Sequence, residues 1–166
     1  MHIRLATITD LPVIDSIYNQ AIRQRQTADR HPYSIERRAN WFNEHSFPYD
    51  VFVVLEAAEI AGWFSFSPYR KGRAAFDRVA EISYYFEHSF QGKGLGTQLL
   101  EWAKGEARAR SFTSLVAILL GSNRASVKLL EKAGFERWGC LPALANFEGE
   151  KLDHLYYGIH LSNQTS

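Results

Sequence analysis

Apolar and polar positions alternate in Ile3-Arg4-Leu5-Ala6, which predicts a short strand, and Asp10 then reads as the N-cap of a helix with Pro12 in its first turn. Ile14, Ile17, Tyr18 and Ala21 keep helical spacing and give that helix one apolar face. A polar stretch over 23–30 leads past Pro32 to a second helix, capped by Ser34, that carries Ile35, Ala39, Trp41 and Phe42. From Asp50 the pattern turns β-rich: residues 51–56 and 60–66 predict a hairpin with a short turn around Ala58-Glu59.

A loop over 67–73 precedes a strand over 79–86, with Glu81, Ser83 and Tyr85 on one face and Ile82, Tyr84 and Phe86 on the other. Leu95, Leu99, Trp102, Ala103 and Ala107 then mark an amphipathic helix that ends near Arg110. The wholly apolar Leu115-Val116-Ala117-Ile118-Leu119-Leu120 predicts a strand buried on both faces. A short helix over 123–133 follows and stops at Gly134, a suitable C′ residue. Strands over 135–140 and 151–160 come last. The order β-α-α-β-β-β-α-β-α-β-β makes an α+β architecture, one mixed sheet covered by helices.

Composition narrows this picture without altering it. With 46% hydrophobic and 22% charged residues among 166, the chain has the balance of one compact domain with a full core. Nineteen basic against eighteen acidic residues, a net charge of +1, announce neither a nucleic-acid surface nor an acidic partner. The one cysteine, Cys140, closes no internal disulfide, and the histidines are scattered rather than set at zinc spacing, so no metal is expected. Met1-His2-Ile3-Arg4-Leu5 lacks the form of a signal peptide, and the apolar run over 115–120 is too short to cross a bilayer. The expectation is a cytoplasmic protein with no membrane or nucleic-acid partner.

The candidate chemistry begins at Gln91-Gly92-Lys93-Gly94-Leu95-Gly96-Thr97, where a strand passes through a short loop into a helix. Backbone N–H groups at such a helix start have no internal partner and face an anion readily. Glycines at alternating positions let the backbone curl and approach a phosphate. Their spacing fits neither Gly-x-x-x-x-Gly-Lys-Ser/Thr nor Gly-x-Gly-x-x-Gly. Taken alone, the segment is equally a glycine-rich turn without a ligand.

It does resemble Gln/Arg-x-x-Gly-x-Gly/Ala, the acyl-CoA signature of the GCN5-related N-acetyltransferase (GNAT) superfamily, met here by Gln91, Gly94 and Gly96. The resemblance covers nearly the whole chain and is closest to the phosphinothricin acetyltransferase-like branch. It runs through Ile17-Tyr18-Asn19-Gln20-Ala21-Ile22, residues 61–70, Ala80-Glu81-Ile82-Ser83-Tyr84-Tyr85-Phe86, Asn123-Arg124-Ala125-Ser126-Val127 and Lys132-Ala133-Gly134-Phe135. The fold it implies is a mixed, mostly antiparallel central sheet with helices on both faces and a splayed pair of parallel strands. One acetyltransferase domain would span 1–162, with a disordered tail over 163–166.

The resemblance also implies acetyl-CoA as co-substrate. Its pyrophosphate would lie on Gln91, Gly92, Lys93, Gly94, Leu95, Gly96 and Thr97, and its pantetheine arm along the backbone of Tyr84, Tyr85 and Phe86. Asn123 would contact that arm, with Ser126 nearby, though Asn123 is also a favoured helix N-cap. Glu81 matches the branch's proposed catalytic glutamate. Relieving an amine of pKa about 8 of its proton is a modest task for such a base. The alternative for Glu81 is an exposed strand carboxylate or salt-bridge partner. Leu130 stands where some members carry a histidine, so no second catalytic residue carries over. Tyr85, Tyr156 or Tyr157 would then protonate the leaving thiolate, or serve only in packing.

The branch's acceptors are small amino-acid-like amines, so the resemblance implies a small-molecule substrate and, for the assembly, a homodimer. Arg70, Lys71 and Arg73 are candidate anchors for a substrate carboxylate, or else a solvated basic loop, while Tyr18, Asn19 and Trp63 are candidate walls. The branch often shows Lys-Phe-Gly-x-Trp-x-Asp where this chain has Asn146-Phe147-Glu148-Gly149-Glu150-Lys151-Leu152-Asp153. Glu148 and Glu150 therefore leave a polyamine or peptide N-terminus open as acceptor, unless they are simply hairpin-turn charges. A non-catalytic acyl-CoA sensor is the reading from another class.

Overall fold

The strands are β1 (His2–Leu5), β2 (Val51–Glu56), β3 (Glu59–Pro68), β4 (Val79–Phe86), β5 (Ser114–Leu120), β6 (Glu136–Phe147) and β7 (Glu150–His160). The helices are α1 (Leu11–Arg23), α2 (Ile35–Asn43), α3 (Leu95–Ala109) and α4 (Arg124–Lys132), supplemented by short 3-10 turns. The computed structural model describes residues 1–161, and the tail expected over 163–166 lies outside them.

All seven strands form one sheet in the order β1-β2-β3-β4-β5-β7-β6. Every neighbouring pair is antiparallel except β4 and β5, which run parallel. That one parallel pairing is short, joining Val79 to Ser114, Ala80 to Leu115 and Glu81 to Val116. Beyond Glu81 the two strands part. Since β4 stays paired with β3 up to Phe86, and β5 with β7 up to Leu120, the sheet forks at its centre instead of fraying.

Side-chain alternation explains how helices come to cover both faces. Phe52 and Val54 of β2 join Phe64, Phe66 and Ile82 in packing under Leu99, Leu100 and Ala103 of α3 and Leu130 of α4. On the opposite face Val51, Val53 and Trp63 pack against Ile14, Ile17, Tyr18 and Ile22 of α1, with Trp41 and Phe42 of α2 beside them.

Four local expectations need correction. Asp10 does not cap α1 through its side chain, because its carboxylate is held by Arg4 at 2.7 and 2.9 Å and by the Thr7 N–H at 2.7 Å. The β2–β3 turn falls one residue earlier, on Ala57 and Ala58, whose φ values of 48° and 69° close a tight hairpin. In α2, Ser34 caps as expected, but Ile35 is 90% exposed and the buried residue is Arg38. Strand β6 runs on to Phe147 through a register shift between Leu141 and Ala145 and turns into β7 at Glu148 and Gly149, both at positive φ.

Candidate active site

The fork between β4 and β5 opens into a cleft of about 330 Å³. Its sides are Ser83, Tyr84, Tyr85 and Phe86 on β4 and Ala117, Ile118 and Leu119 on β5, and its far end is the glycine turn leading into α3. Backbone groups along the inner edge of β4 beyond Glu81 have no ladder partner on β5. Of the residues expected around a coenzyme, the cleft gathers Tyr84, Tyr85, Phe86, Gln91, Gly92, Gly94, Leu95, Gly96, Thr97, Asn123 and Ser126. Lys93 is exposed beside it, its Nζ 5.0 Å from the Phe90 ring.

The glycines of the turn serve different ends. Gly92 and Gly94 have φ of 74° and 80°, with open space where a Cβ would point, so backbone conformation alone demands glycine there. Gly94 is also the N-cap of α3, and no side chain caps that helix start, which leaves its first N–H groups facing the cleft mouth. Gly96 already lies inside α3 and faces Leu129 of α4. Gln91 turns back toward β4 and donates from Nε2 to the Phe86 carbonyl at 3.2 Å, tying the turn to the strand end.

Asn123 proves to be the N-cap of α4, its Oδ1 accepting from the Ser126 N–H at 3.2 Å, while it also lines the cleft. The Tyr84 hydroxyl is buried near Ser126; burial raises its pKa, opposed by its interaction with the Ser126 side chain.

On the other face of the sheet lies a smaller hollow of about 90 Å³. Tyr18, Trp63 and Arg38 wall it, and Ser65, Ser67 and Ser83 supply hydroxyls along its floor. Ser83 and Tyr85 line both cavities, so the two meet at one short stretch of β4. The Tyr85 ring is wedged 4.8 Å from Trp63 and 5.0 Å from Tyr18, and burial pushes its hydroxyl up to about 12. Tyr18 in turn donates to Asp29, which also accepts from Tyr33 at 2.9 Å.

Glu81 sits at the point of the fork, the last β4 residue still paired with β5, opposite Ser67 of β3. It lines neither cavity directly; its neighbours Ser67 and Ser83 do. Its side chain makes no hydrogen bond or ion pair among the described residues, and burial raises its carboxyl above the usual carboxylate range. Ser67 donates to His45 Nε2 at 3.3 Å while His45 Nδ1 donates to the Trp41 carbonyl at 2.7 Å, and burial lowers the histidine's pKa.

Several expected residues stand elsewhere. Arg70 and Arg73 are exposed in the loop after β3, outside the small hollow, and Asn19 is turned to Asp15 at 3.0 Å. The Tyr157 hydroxyl donates to Glu131 at 2.9 Å, and Tyr156 packs edge-on to His154; neither lines the cleft. Glu148 lies in the β6–β7 turn and Glu150 pairs with Arg25 at 2.7 Å, which is the hairpin-turn reading of these charges. What sequence reasoning missed is Arg38 and the serine row. The available signal for Arg38 was its position three and four residues before Trp41 and Phe42, on the apolar side of α2.

Comparison with known proteins follows this geometry. Residues 14–135 match the model of the Acetyltransferase (GNAT) family. YwnH of Bacillus subtilis is 38% identical over 98% of this chain and 100% of its own length. The L-methionine sulfoximine/L-methionine sulfone acetyltransferase of Pseudomonas aeruginosa is 33% identical, over 96% of this chain and 94% of that protein. Among solved structures, a GNAT superfamily phosphinothricin acetyltransferase from Sinorhizobium meliloti in complex with AcCoA superposes with a TM-score of 0.90 at 28% identity, covering 99% of this chain and 90% of that one.

Proposed function

The chain belongs to the acetyltransferase (GNAT) family and is an N-acetyltransferase, and on that premise we propose that it moves acetyl from acetyl-CoA to the primary amine of a small amino-acid-like acceptor. Phosphinothricin and methionine sulfone or sulfoximine represent the acceptor class, with Glu81 as general base. The observation that carries this is the meeting of the two cavities at Ser83 and Tyr85, two and four residues beyond Glu81 on the same strand face.

The cleft suits the coenzyme on features of this chain itself. An uncapped helix start answers a pyrophosphate, and an unpaired strand edge answers the amides of a pantetheine arm. When bound, acetyl-CoA supplies an activated acetyl group and a thiolate leaving group. Residues 91–97 hold the phosphates, Asn123 and Ser126 flank the arm, and the β4 backbone around Tyr84, Tyr85 and Phe86 orients it.

An acceptor amine in the small hollow approaches the thioester carbonyl at the Ser83–Tyr85 junction. Glu81 takes the amine's proton, directly or through water; its raised pKa brings it nearer that of an amine and strengthens it as a base. Backbone N–H groups of the open β4 edge near Tyr85 stabilise negative charge on the carbonyl oxygen. Tyr85, whose hydroxyl stays protonated well above neutral pH, is the group placed to return a proton to the departing sulfur.

A homodimer and a cytoplasmic setting belong to the same reading. Supporting the former, β6 is an edge strand with Trp138, Leu141 and Leu144 exposed along it. The test of function is a thiol-release assay across free amino acids, sulfone, sulfoximine and phosphinate analogues, peptides and polyamines. Turnover restricted to peptides or polyamines would sink the small-molecule reading, and absence of coenzyme A binding at millimolar ligand by calorimetry would sink the enzyme reading.

A further inference from the structure

We infer that Arg38 is the carboxylate receptor of the small hollow and makes the enzyme select amines that carry a carboxylate on the neighbouring carbon. This rests on the acetyltransferase reading above and adds a specificity-determining residue to it.

Arg38 is only 3% exposed, yet an arginine stays charged at any working pH, so its burial requires partners. One partner is fixed: Nε donates to Asp15 Oδ1 at 2.9 Å. The second Asp15 oxygen is taken by Asn19 at 3.0 Å and does not reach back to the guanidinium. Nη2 is therefore buried with no hydrogen-bond partner among the described residues, on a side chain that lines the hollow. A buried charged N–H without an acceptor is an expensive arrangement, and a ligand oxygen entering the hollow relieves it.

The guanidinium is also held rigidly. Its centre lies 4.5 Å from the Tyr18 ring, 4.5 Å from Tyr33 and 5.0 Å from Trp41, an aromatic box that fixes its plane before any ligand arrives. Around it, Ser65 and Ser83 offer hydroxyls that donate to an oxyanion, while the Ser67 proton is already given to His45 Nε2. A carboxylate, which only accepts, matches this set of donors; a second ammonium group in the same place meets the like charge of the guanidinium, whose counter-ion Asp15 is already engaged.

The hollow is bounded by Arg38 and, on β4, by Ser83 and Tyr85, which it shares with the donor cleft. A carboxylate seated on Nη2 leaves the amine on the adjacent carbon near that shared wall.

The test compares L-methionine sulfone, its carboxamide and its decarboxylated amine as acceptors for the wild type and for Arg38→Lys, with coenzyme A affinity and melting temperature measured alongside. Arg38→Lys keeps a cation but loses the second planar N–H. The wild type is expected to favour the acid by about 100-fold in kcat/KM. In Arg38→Lys that preference falls to within about 5-fold, mainly through the KM of the acid, while carboxamide turnover and coenzyme affinity stay within about 3-fold. An equal loss on acid and carboxamide, or an unchanged preference, overturns the assignment and leaves the acetyltransferase intact. No turnover of any amine by a coenzyme-binding wild type overturns the functional reading itself. If Arg38→Lys does not fold, Asp15→Asn decides: freed of its counter-ion, Arg38 should lower the acid's KM by about 3-fold or more and leave the carboxamide's unchanged. An unmoved acid KM overturns the inference.

Discussion

Gly96 of α3 meets Leu129 of α4 so closely that a Cβ on Gly96 would stand 2.6 Å from Leu129 Cδ2 and 3.3 Å from Cδ1. Both residues line the donor cleft. In Gly96→Ala the gain in helix propensity, about 1 kcal/mol, offsets the repacking, so thermal stability should move little. The displaced Leu129 side chain has the cleft beside it, and coenzyme A affinity measured by calorimetry should fall about 10-fold. Gly94→Ala should behave differently, losing about 1–2 kcal/mol of stability because an L-residue is placed at φ 80°.

Glu81→Gln separates catalysis from stability. Its kcat should drop about 10²- to 10⁴-fold with coenzyme affinity preserved. A half-buried carboxyl whose pKa is raised on folding stabilises the fold most when protonated, and that contribution declines as pH rises through the folded-state pKa. The neutral variant, relieved of the buried charge, should therefore melt at or above the wild type at pH 7. A variant that melts well below the wild type would mean Glu81 has a structural partner.

Rate should follow pH in the matching sense. The acid limb of kcat in the wild type should lie above the usual carboxylate range, because Glu81 must be ionised to act, and should vanish in Glu81→Gln. His45, whose pKa burial lowers, touches Ser67 but lines neither cavity, so His45→Gln should leave the profile in place.

Asp10 offers the opposite sign. Its side-chain hydrogen bond with Arg4 is the leading cause that lowers its carboxyl to about 2, aided by the Thr7 donors and opposed by burial. Stability from this pair is complete above the unfolded pKa of about 4 and is lost as pH falls toward about 2. Asp10→Asn should cost about 1–3 kcal/mol in urea melts at pH 7, with the difference from wild type closing across that acid window.

The proposed homodimer carries its own test. Leu144, 62% exposed on the edge strand β6, should be replaceable by Glu without loss of fold, and light scattering should then report a mass of one chain in place of two.

Much of this arrangement is legible along the chain, because period-two runs such as Val79–Phe86 and the helical stripe of α3 commit to one face over many residues. The glycine turn is legible as well, since its conformation is local. What stays hidden depends on partners distant in sequence. Asp10 looks like a cap until Arg4, six residues back, claims its carboxylate. Arg38 looks like a solvent-facing charge until α1 brings Asp15 and Tyr18 against it. Arg70 and Arg73 read as anchors because arginines in a loop near the site meet a chemical need, and the structure leaves both exposed, lining neither cavity.

The three residue pairs that join β4 to β5 leave the sheet as two unequal leaves, one of four strands and one of three, bridged at a single short hinge line and otherwise by helices. A ligand filling the gap would act as a missing strand. By mass action, a ligand at a hundred times its Kd adds about 2.7 kcal/mol to the stability of the fold it binds. Backbone amides over 82–86 should accordingly report occupancy by hydrogen exchange, and the protein's resistance to proteolysis would rise and fall with the supply of its own acyl donor.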